Sequence, residues 1–232
     1  MRKLGKKYVE ASQKVESNKA YTYSEAIKLA KETAITKFDS TVELAMNLNV
    51  DPKKADQQLR SSLVLPNGTG KTKKVLVLAD GEDAKKAEAA GADFVGAEDM
   101  IEKIDKENWF GYDVIVATPK MMPKLGKLGK VLGPKGLMPN PKTNTVTTTP
   151  DKVVTDIKKG MIEYKTDEYG NIHSIIGKVS FKEKALEENL VYIVKTITNA
   201  KPQSVKGELI KNISISTTMG PGIKIDKNSF YF

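Results

Sequence analysis

The apolar residues of this chain follow two patterns, and the change from one to the other constrains the fold more than any other feature. In the middle of the chain, residues 75–79, 94–95 and 113–117 form short, nearly continuous apolar runs. Helix-forming stretches, 83–90 and 98–107, separate these runs. Strands that are apolar on both faces are typical of a parallel sheet with helices on each side. The pattern predicts a three-layer, doubly wound α/β domain.

The flanks differ, because apolar and polar residues alternate there. Residues 41–50 alternate as in a strand with one buried face and one wet face. The turn-forming cluster 167–171 lies between two further strand patterns, 162–165 and 172–181, and predicts a hairpin. A capping box that begins at Thr22 predicts a helix near the N-terminus. These features are typical of an antiparallel α+β arrangement.

Together the two patterns predict a split domain with an insertion. The expected α+β domain comprises residues 1–67 and 160–232, and the inserted α/β domain comprises residues 68–159. Two chain segments connect a split domain to its inserted domain, and glycine gives such a segment backbone freedom. The residues expected to act as the hinge are Gly68, Gly70 and Gly160.

Residues 119–142 form a basic segment without an acidic residue. The segment contains six lysines, four glycines and five prolines, so it is not expected to build much core. Its apolar residues nevertheless indicate that it is anchored to the rest of the domain. We expect the segment to hold phosphates, and a solvated basic loop is the alternative. The lysines of this segment are Lys120, Lys124, Lys127, Lys130, Lys135 and Lys142.

The composition indicates a nucleic-acid partner and a reducing compartment. The 232 residues include 38 Lys and Arg against 29 Asp and Glu, a net charge of +9, which favours nucleic acid or another acidic partner. The chain has no cysteine, which excludes disulfides and thiolate metal sites. No apolar run approaches the roughly 20 residues that cross a bilayer, and no apolar signal stretch follows the basic residues 1–7. We expect a cytoplasmic protein without a membrane partner.

The motifs that would indicate catalysis are incomplete. Residues 68–72 end in Gly-Lys-Thr, as a phosphate-binding loop does, but Leu65 stands where that loop needs glycine and a strand pattern follows. We interpret these residues as a linker. His173 is the only histidine, which excludes a Ser-His-Asp triad and a histidine metal cluster, and its position predicts a partly buried structural residue. No catalytic residue, metal or cofactor is predicted.

Short polar side chains line the wet faces of two strand patterns. Thr41 and Glu43 lie on the polar face of one strand pattern, and Ser214, Ser216 and Thr218 lie on that of the other. Hydroxyl groups can hydrogen-bond to the ribose and phosphate oxygens of RNA, although polar strand faces are commonly only hydrated. The Lys-Phe pair at 37–38 adds a cation and an aromatic ring on which single-stranded bases stack. These features indicate an RNA-binding surface.

Four separated motifs resemble one known family. Residues 37–43 read KFDSTVE, residues 131–142 read VLGPKGLMPNPK, residues 177–181 read GKVSF and residues 218–222 read TMGPG. In this order they resemble the L-one family of bacterial ribosomal proteins, whose members sit on the mobile stalk of the large subunit beside the exit site. The resemblance covers the whole chain, including the inserted domain.

The resemblance implies a non-enzymatic protein of the cytoplasmic large ribosomal subunit that is a monomer off the ribosome. Its partners would be the stalk region of the large-subunit ribosomal RNA, the exit-site tRNA whose release it assists, and its own operon mRNA, whose translation it represses. The basic segment would make a secondary contact with ribosomal RNA or tRNA. The RNA face, carried over by position, would comprise Lys37, Phe38, Thr41, Glu43, Lys165, Lys178, Ser180, Ser216, Thr218, Met219 and Gly220.

Two other classes of function stay open on the sequence alone. An RNA-modifying or nucleotide-dependent enzyme would bind ATP or GTP in a filter assay. A nonspecific packaging protein would not distinguish stalk RNA from random RNA at one salt concentration.

Overall fold

The chain folds into two compact units. The computed structural model describes residues 5–16 and 19–230, so residues 1–4 of the basic N-terminus lie outside the described part. One unit comprises Met1–Gly70 and Ile162–Phe232, and the other comprises Lys71–Met161. Each unit has its own apolar core. The chain passes between the units after Gly70 and after Met161, a little beyond the limits expected from the sequence.

Both units contain helices and strands. In chain order they are α1 (Lys6–Gln13), α2 (Tyr23–Glu32), β1 (Thr41–Leu48), β2 (Arg60–Val64), β3 (Val75–Leu78), α3 (Gly81–Ala89), β4 (Phe94–Gly96), α4 (Glu98–Glu107), β5 (Val114–Ala117), α5 (Met122–Gly126), α6 (Gly129–Leu132), α7 (Pro150–Lys159), β6 (Met161–Lys165), β7 (Asn171–Lys178), α8 (Glu183–Asn199), β8 (Ile210–Thr217) and β9 (Ile223–Ile225). Across the described ranges, none of the helices combines the length and the apolar character needed to cross a membrane.

A four-stranded antiparallel sheet in the order β7-β1-β8-β9 supports the first unit. β1 alternates as predicted, because Val42, Leu44 and Met46 are buried in one core with residues of α2 and α8. Each such side chain stabilises the fold by about 1.5–3 kcal/mol. Glu43 and Ala45 project from the other side of β1. We call this side of the sheet the open face.

The predicted N-terminal helix is confirmed. Thr22 Oγ1 accepts a hydrogen bond from the Glu25 N–H at 3.4 Å, and Glu25 Oε2 accepts one from the Thr22 N–H at 3.1 Å. This reciprocal capping box satisfies N–H groups that have no partner inside α2. The bonds from Thr22 also hold the pKa of Glu25 below its usual value.

The predicted hairpin around residues 167–171 is wrong. The cluster does turn the chain, but β6 pairs with β2 and β7 pairs with β1. The two sides of the turn are joined by an isolated bridge between Thr166 and Ile172 and by hydrogen bonds between Asp167 and Asn171, without a ladder between β6 and β7. The reason is Thr166, whose N–H and hydroxyl both bind the backbone of Leu59. These bonds hold the end of β6 beside β2.

The second unit contains a parallel sheet in the order β4-β3-β5. Leu76 and Leu78 share a core with Ile104 of α4 and with residues of α5 and α6. Val75 and Val77 are equally buried and face the opposite way, toward the side on which α3 and α7 pack. Because the strands are covered on both faces, they read as continuous apolar runs. The predicted α/β class is confirmed.

The basic segment 119–142 is more regular than its composition suggests. It includes α5 and α6, and four of its apolar residues, Met121, Leu125, Leu128 and Leu132, are buried in the core of the second unit. The expectation that it builds little core is therefore wrong. These four residues are spaced by four, three and four positions, which places them on one helical face despite the intervening glycines.

Candidate nucleic-acid interface

Most of the sequence-predicted RNA residues lie at one end of the four-stranded sheet. β1 begins at this end, where Thr41 lies opposite Lys178, the last residue of β7. β8 also ends here, because Thr217 lies opposite Val42. The loops attached to these strand ends carry the remaining residues. We define the rim as Lys37, Phe38, Thr41, Lys178, Ser180, Thr218, Met219 and Gly220.

Asp39, which the sequence analysis did not single out, joins two loops of the rim. Its carboxylate accepts hydrogen bonds from the N–H and the hydroxyl of Ser180, at 3.0 and 2.8 Å. Lys178 Nζ donates to the carbonyl of Asp39 and to Thr41 Oγ1, both at 3.2 Å. The bond from the Ser180 hydroxyl is the main reason that the pKa of Asp39 lies below its usual value. The only sequence signal was the position of Asp39 inside the motif at residues 37–43.

Thr218 attaches the end of β8 to the start of β1. Its Oγ1 accepts a hydrogen bond from the Thr41 N–H at 3.1 Å, and its own N–H donates to the Thr41 carbonyl at 3.0 Å. The hydroxyl of Thr218 is therefore committed to the protein backbone. On the other side of the rim, Lys31 Nζ donates to the carbonyl of Phe181 at 2.6 Å. The rim loops are thus held in place before any ligand arrives.

Two large apolar side chains project from the rim. Phe38 is 63% exposed and Met219 is 72% exposed. Met219 has a φ of 67°, a left-handed conformation that costs a non-glycine residue about 1–2 kcal/mol. Gly220 follows it, and a Cβ at that position would clash with Thr217 Oγ1. The tight turn exposes the side chain of Met219 at the rim, where Lys37 and Phe38 are also exposed. Exposed side chains of this kind can contact unpaired bases.

Glu43 and Ser216 lie beside the rim on the open face, directly opposite each other. His173 lies on the same face, opposite Ala45. Its side chain is 66% exposed and its Nε2 is 3.4 Å from Asp167 Oδ2. The prediction of a partly buried histidine is therefore wrong, because the alternation of side chains along β7 places His173 on the open face of the sheet.

Lys165 does not belong to the rim, although the resemblance placed it on the RNA face. It is exposed at the end of β6, which pairs with β2 outside the four-stranded sheet. The next residue, Thr166, bridges to Ile172 near the start of β7, whereas Lys178 ends that strand. At 3.2–3.4 Å per strand residue, about 20 Å of β7 separates Lys165 from the rim.

The lysines of the basic segment are exposed but not equivalent. Lys124 forms an ion pair with Glu98. Lys135 Nζ lies 4.0 Å from the centre of the Phe110 ring, an attractive cation–π arrangement. The exposed lysines of the segment are Lys120, Lys124, Lys127, Lys130, Lys135 and Lys142.

The three glycines expected at the hinge all have positive φ: 66° for Gly68, 72° for Gly70 and 107° for Gly160. Gly160 forms the left-handed C-cap of α7. A Cβ at position 70 would lie 2.8 Å from Lys178 Cγ and 3.0 Å from a ring carbon of Phe181. Local conformation therefore requires glycine at these positions, whatever part they play in a hinge.

The described residues form neither a phosphate-binding loop at residues 68–72 nor a metal-binding cluster of acidic and histidine side chains. Residues 68–72 lead to strand β3, so the helix N-terminus that a phosphate-binding loop needs does not follow them. Within residues 5–16 and 19–230, no group of three or more His, Asp or Glu side chains is arranged to hold a metal ion.

Comparison with known families decides which class of function applies. The ribosomal protein L1p/L10e family matches residues 30–221, which include the rim, the open face and the whole second unit. The chain belongs to this family. The family consists of ribosomal proteins and not of enzymes, so the enzyme alternative is removed. Ribosomal RNA is the partner that membership implies for the basic surfaces.

Relatives of nearly the same length agree with the family match. The large ribosomal subunit protein uL1 of Mycoplasma capricolum is 61% identical over 226 residues, 97% of this chain and 100% of the relative. The protein of the same name from Mesoplasma florum is 61% identical over 228 residues, 98% and 100% of the two chains. That of Mycoplasma mycoides is 60% identical over 225 residues, 97% and 99% of the two chains. The similarity extends over both units.

Proposed function

We propose that this protein, a ribosomal protein of the cytoplasmic large subunit, binds the stalk region of the ribosomal RNA through the rim and the adjoining open face. One observation carries the proposal. Thr41 and Thr218 are 177 positions apart along the chain and hydrogen-bond to each other. The rim to which they belong also carries the exposed Phe38 and two lysines. The rim is held by internal hydrogen bonds, so an RNA ligand meets a preorganised surface.

We assign specificity to the first unit and a secondary contact to the second. Lysine contacts to phosphates strengthen binding to any RNA and weaken with salt, whereas side chains that reach bases and ribose distinguish sequences. Lys124 and Lys135 already have partners within the protein. We therefore expect Lys120, Lys127 and Lys130 to contribute more to the secondary contact, with ribosomal RNA or with tRNA.

Two further roles belong to the proposal and rest on the resemblance. The protein would assist the release of deacylated tRNA from the exit site, with a hinge at Gly68, Gly70 and Gly160. Off the ribosome, as a monomer, it would bind its own operon mRNA and repress translation. Competition between an mRNA fragment and stalk RNA for the same rim variants tests the repressor role. The distribution of distances between fluorophores on the two units tests the hinge. A single narrow distribution would contradict it.

A titration with stalk RNA and with random RNA of equal length, at one salt concentration, tests the central claim. Phe38→Ala should weaken stalk RNA binding about tenfold, since one aromatic stack is worth about 1–3 kcal/mol, and should change random RNA binding far less. Tyr169→Ala is the matched control, because Tyr169 is an exposed aromatic residue in the turn before β7, away from the rim. Equal losses for the two variants would place the interface elsewhere.

A further inference from the structure

A shallow depression lies on the open face beside the rim. Its volume is about 230 Å³, and its lining includes Glu43 and Ala45 of β1, His173 and Ile175 of β7, and Ser216 of β8. Pockets that enclose a drug-sized ligand are larger, roughly 300–1,000 Å³. The depression therefore suits one flat ring system that is part of a larger molecule.

The strand register explains the shape of the depression. Glu43 lies opposite both Ser216 and Ile175, and Ala45, the next residue on the same face, lies opposite His173. Because the side chain of Ala45 is small, it forms the bottom of the depression, between longer side chains. We call this bottom the floor. Ile175 adds an apolar wall that is only partly covered. A planar base could thus lie over Ala45 with its edge toward Glu43.

Glu43 determines which group can enter. An ionised carboxylate only accepts hydrogen bonds, and it repels phosphates, so the RNA backbone is disfavoured here. Guanine alone among the four RNA bases has two N–H donors, on N1 and N2, side by side on its Watson–Crick edge. Cytosine and adenine place a ring nitrogen acceptor beside their amino group, and uracil places a carbonyl on each side of its one donor. Two parallel donors match the two oxygens of a carboxylate.

We propose that this depression binds one unstacked guanine of the RNA, with the Glu43 carboxylate accepting hydrogen bonds from the guanine N1 and N2 groups. The proposal rests on the proposed function, because the guanine belongs to the RNA that the rim holds. Proteins read RNA sequence mainly through bases that are splayed out of single-stranded loops. The guanine subsite gives an acidic residue beside a basic rim a specificity-determining role.

Inosine provides the test, because it differs from guanosine only by the missing N2 amino group. Each unpaired guanosine of the stalk RNA is replaced in turn, and the Kd is measured for the wild type and for Glu43→Gln at one salt concentration. We expect one position at which inosine weakens wild-type binding about tenfold, within the range for a bidentate contact between a side chain and a base. The same replacement should barely change the Kd of Glu43→Gln. This variant should also bind the unmodified RNA more weakly, although it has lost a negative charge.

Two further variants separate the subsite from charge and from folding. Glu10→Gln removes an exposed carboxylate on α1 and should leave the Kd unchanged. Ala45→Leu fills the floor without changing charge and should remove the inosine effect, with thermal unfolding as the check on the fold. If no guanosine shows an inosine effect that depends on Glu43, while stalk RNA is still preferred over random RNA, the guanine subsite is overturned and the proposed function stands. If stalk RNA is not preferred at all, both are overturned.

Discussion

Asp39 places a negative charge in a rim that also carries Lys37 and Lys178. By charge alone, an aspartate here should weaken the binding of a polyanion. Its carboxylate, however, accepts two hydrogen bonds from Ser180, 141 positions away along the chain. The residue connects the loop before β1 with the loop after β7. If the rim binds RNA as proposed, Asp39 contributes by holding these loops in place, although its charge repels phosphates.

The variant Asp39→Asn separates the two effects. In asparagine an NH2 group replaces one of the two oxygens that accept from Ser180, and the negative charge that strengthens both hydrogen bonds is lost. We expect stalk RNA affinity to fall several-fold even though a negative charge is removed. Asp56→Asn, in the exposed loop before β2, is the control and should leave the Kd unchanged. Tighter binding by Asp39→Asn would mean that only the charge matters.

The lowered pKa of Asp39 also predicts how the rim responds to pH. A carboxyl whose folded-state pKa lies below its unfolded value, about 3.9, stabilises the fold fully above that unfolded value. The contribution is lost as the pH falls through the folded-state pKa. NMR titration should therefore show the Ser180 amide signal unchanged from neutral pH to about pH 4 and shifting below it. A shift of that signal near neutral pH would contradict this assignment.

Thr218→Val tests the hydrogen bond between β8 and β1. The substitution keeps the shape but leaves the N–H of Thr41 without its 3.1 Å partner. We expect the free energy of unfolding of the first unit to fall by about 1–2 kcal/mol, with any loss of RNA affinity following from a looser rim. Thr218→Ser keeps the hydroxyl and should stay close to the wild type in denaturant titrations. Equal stability of the valine and serine variants would show that the bond is unimportant.

The residues that could be predicted from the sequence are those whose role is local. Phe38 follows a lysine and precedes a strand pattern, and Met219 and Gly220 belong to a recognisable turn. The bonds of Asp39 to Ser180 and of Thr41 to Thr218 leave no local pattern, because they join loops that meet only in the folded chain. The sequence therefore indicated which side chains a ligand could meet, but not how they are held.

At the scale of elements, the burial pattern of the strands could be predicted from the sequence, whereas the pairing of the strands could be predicted only in part. β1, β3 and β5 appear where alternating or continuous apolar runs predicted them. β6 was assigned to a hairpin because the turn after it is locally convincing, whereas its true partner β2 is chosen by distant contacts. α5 and α6 were missed because glycine and proline hide a helical spacing of buried leucines. Local propensity is a weak guide where tertiary packing decides.

The exposed lysines of the basic segment predict a salt effect distinct from that of the rim. Replacing Lys120, Lys127 and Lys130 with glutamine should lower the slope of log Kd against log salt by about 2, if each lysine contacts one phosphate of single-stranded RNA. Lys124→Gln should change the slope less than Lys127→Gln, which also removes one lysine, because Glu98 already pairs with Lys124. Binding at several salt concentrations measures both slopes. Equal slopes for the triple variant and the wild type would exclude the secondary contact.

At the scale of the whole molecule, the two cores are independent. Every buried residue of the first core lies in Met1–Gly70 or Ile162–Phe232, and every buried residue of the second lies in Lys71–Met161. We predict that replacing residues 71–160 with a short Gly-Ser linker leaves a folded domain that still prefers stalk RNA over random RNA. Circular dichroism, a cooperative melt and the binding titration are the measurements. A folded domain without this preference would assign specificity to the second unit.

The rim combines segments that the ribosome synthesises far apart in time. Phe38 is made early, but β8 lies between β1 and β9 in the sheet, so β1 lacks one of its partners until residues 210–217 have been made. The second unit is one continuous stretch and can close while the chain is still growing. A prematurely terminated copy could therefore contain a finished second unit and yet lack Thr218 and Met219. On the proposed function, a copy that ends before this turn lacks part of the surface that binds the RNA.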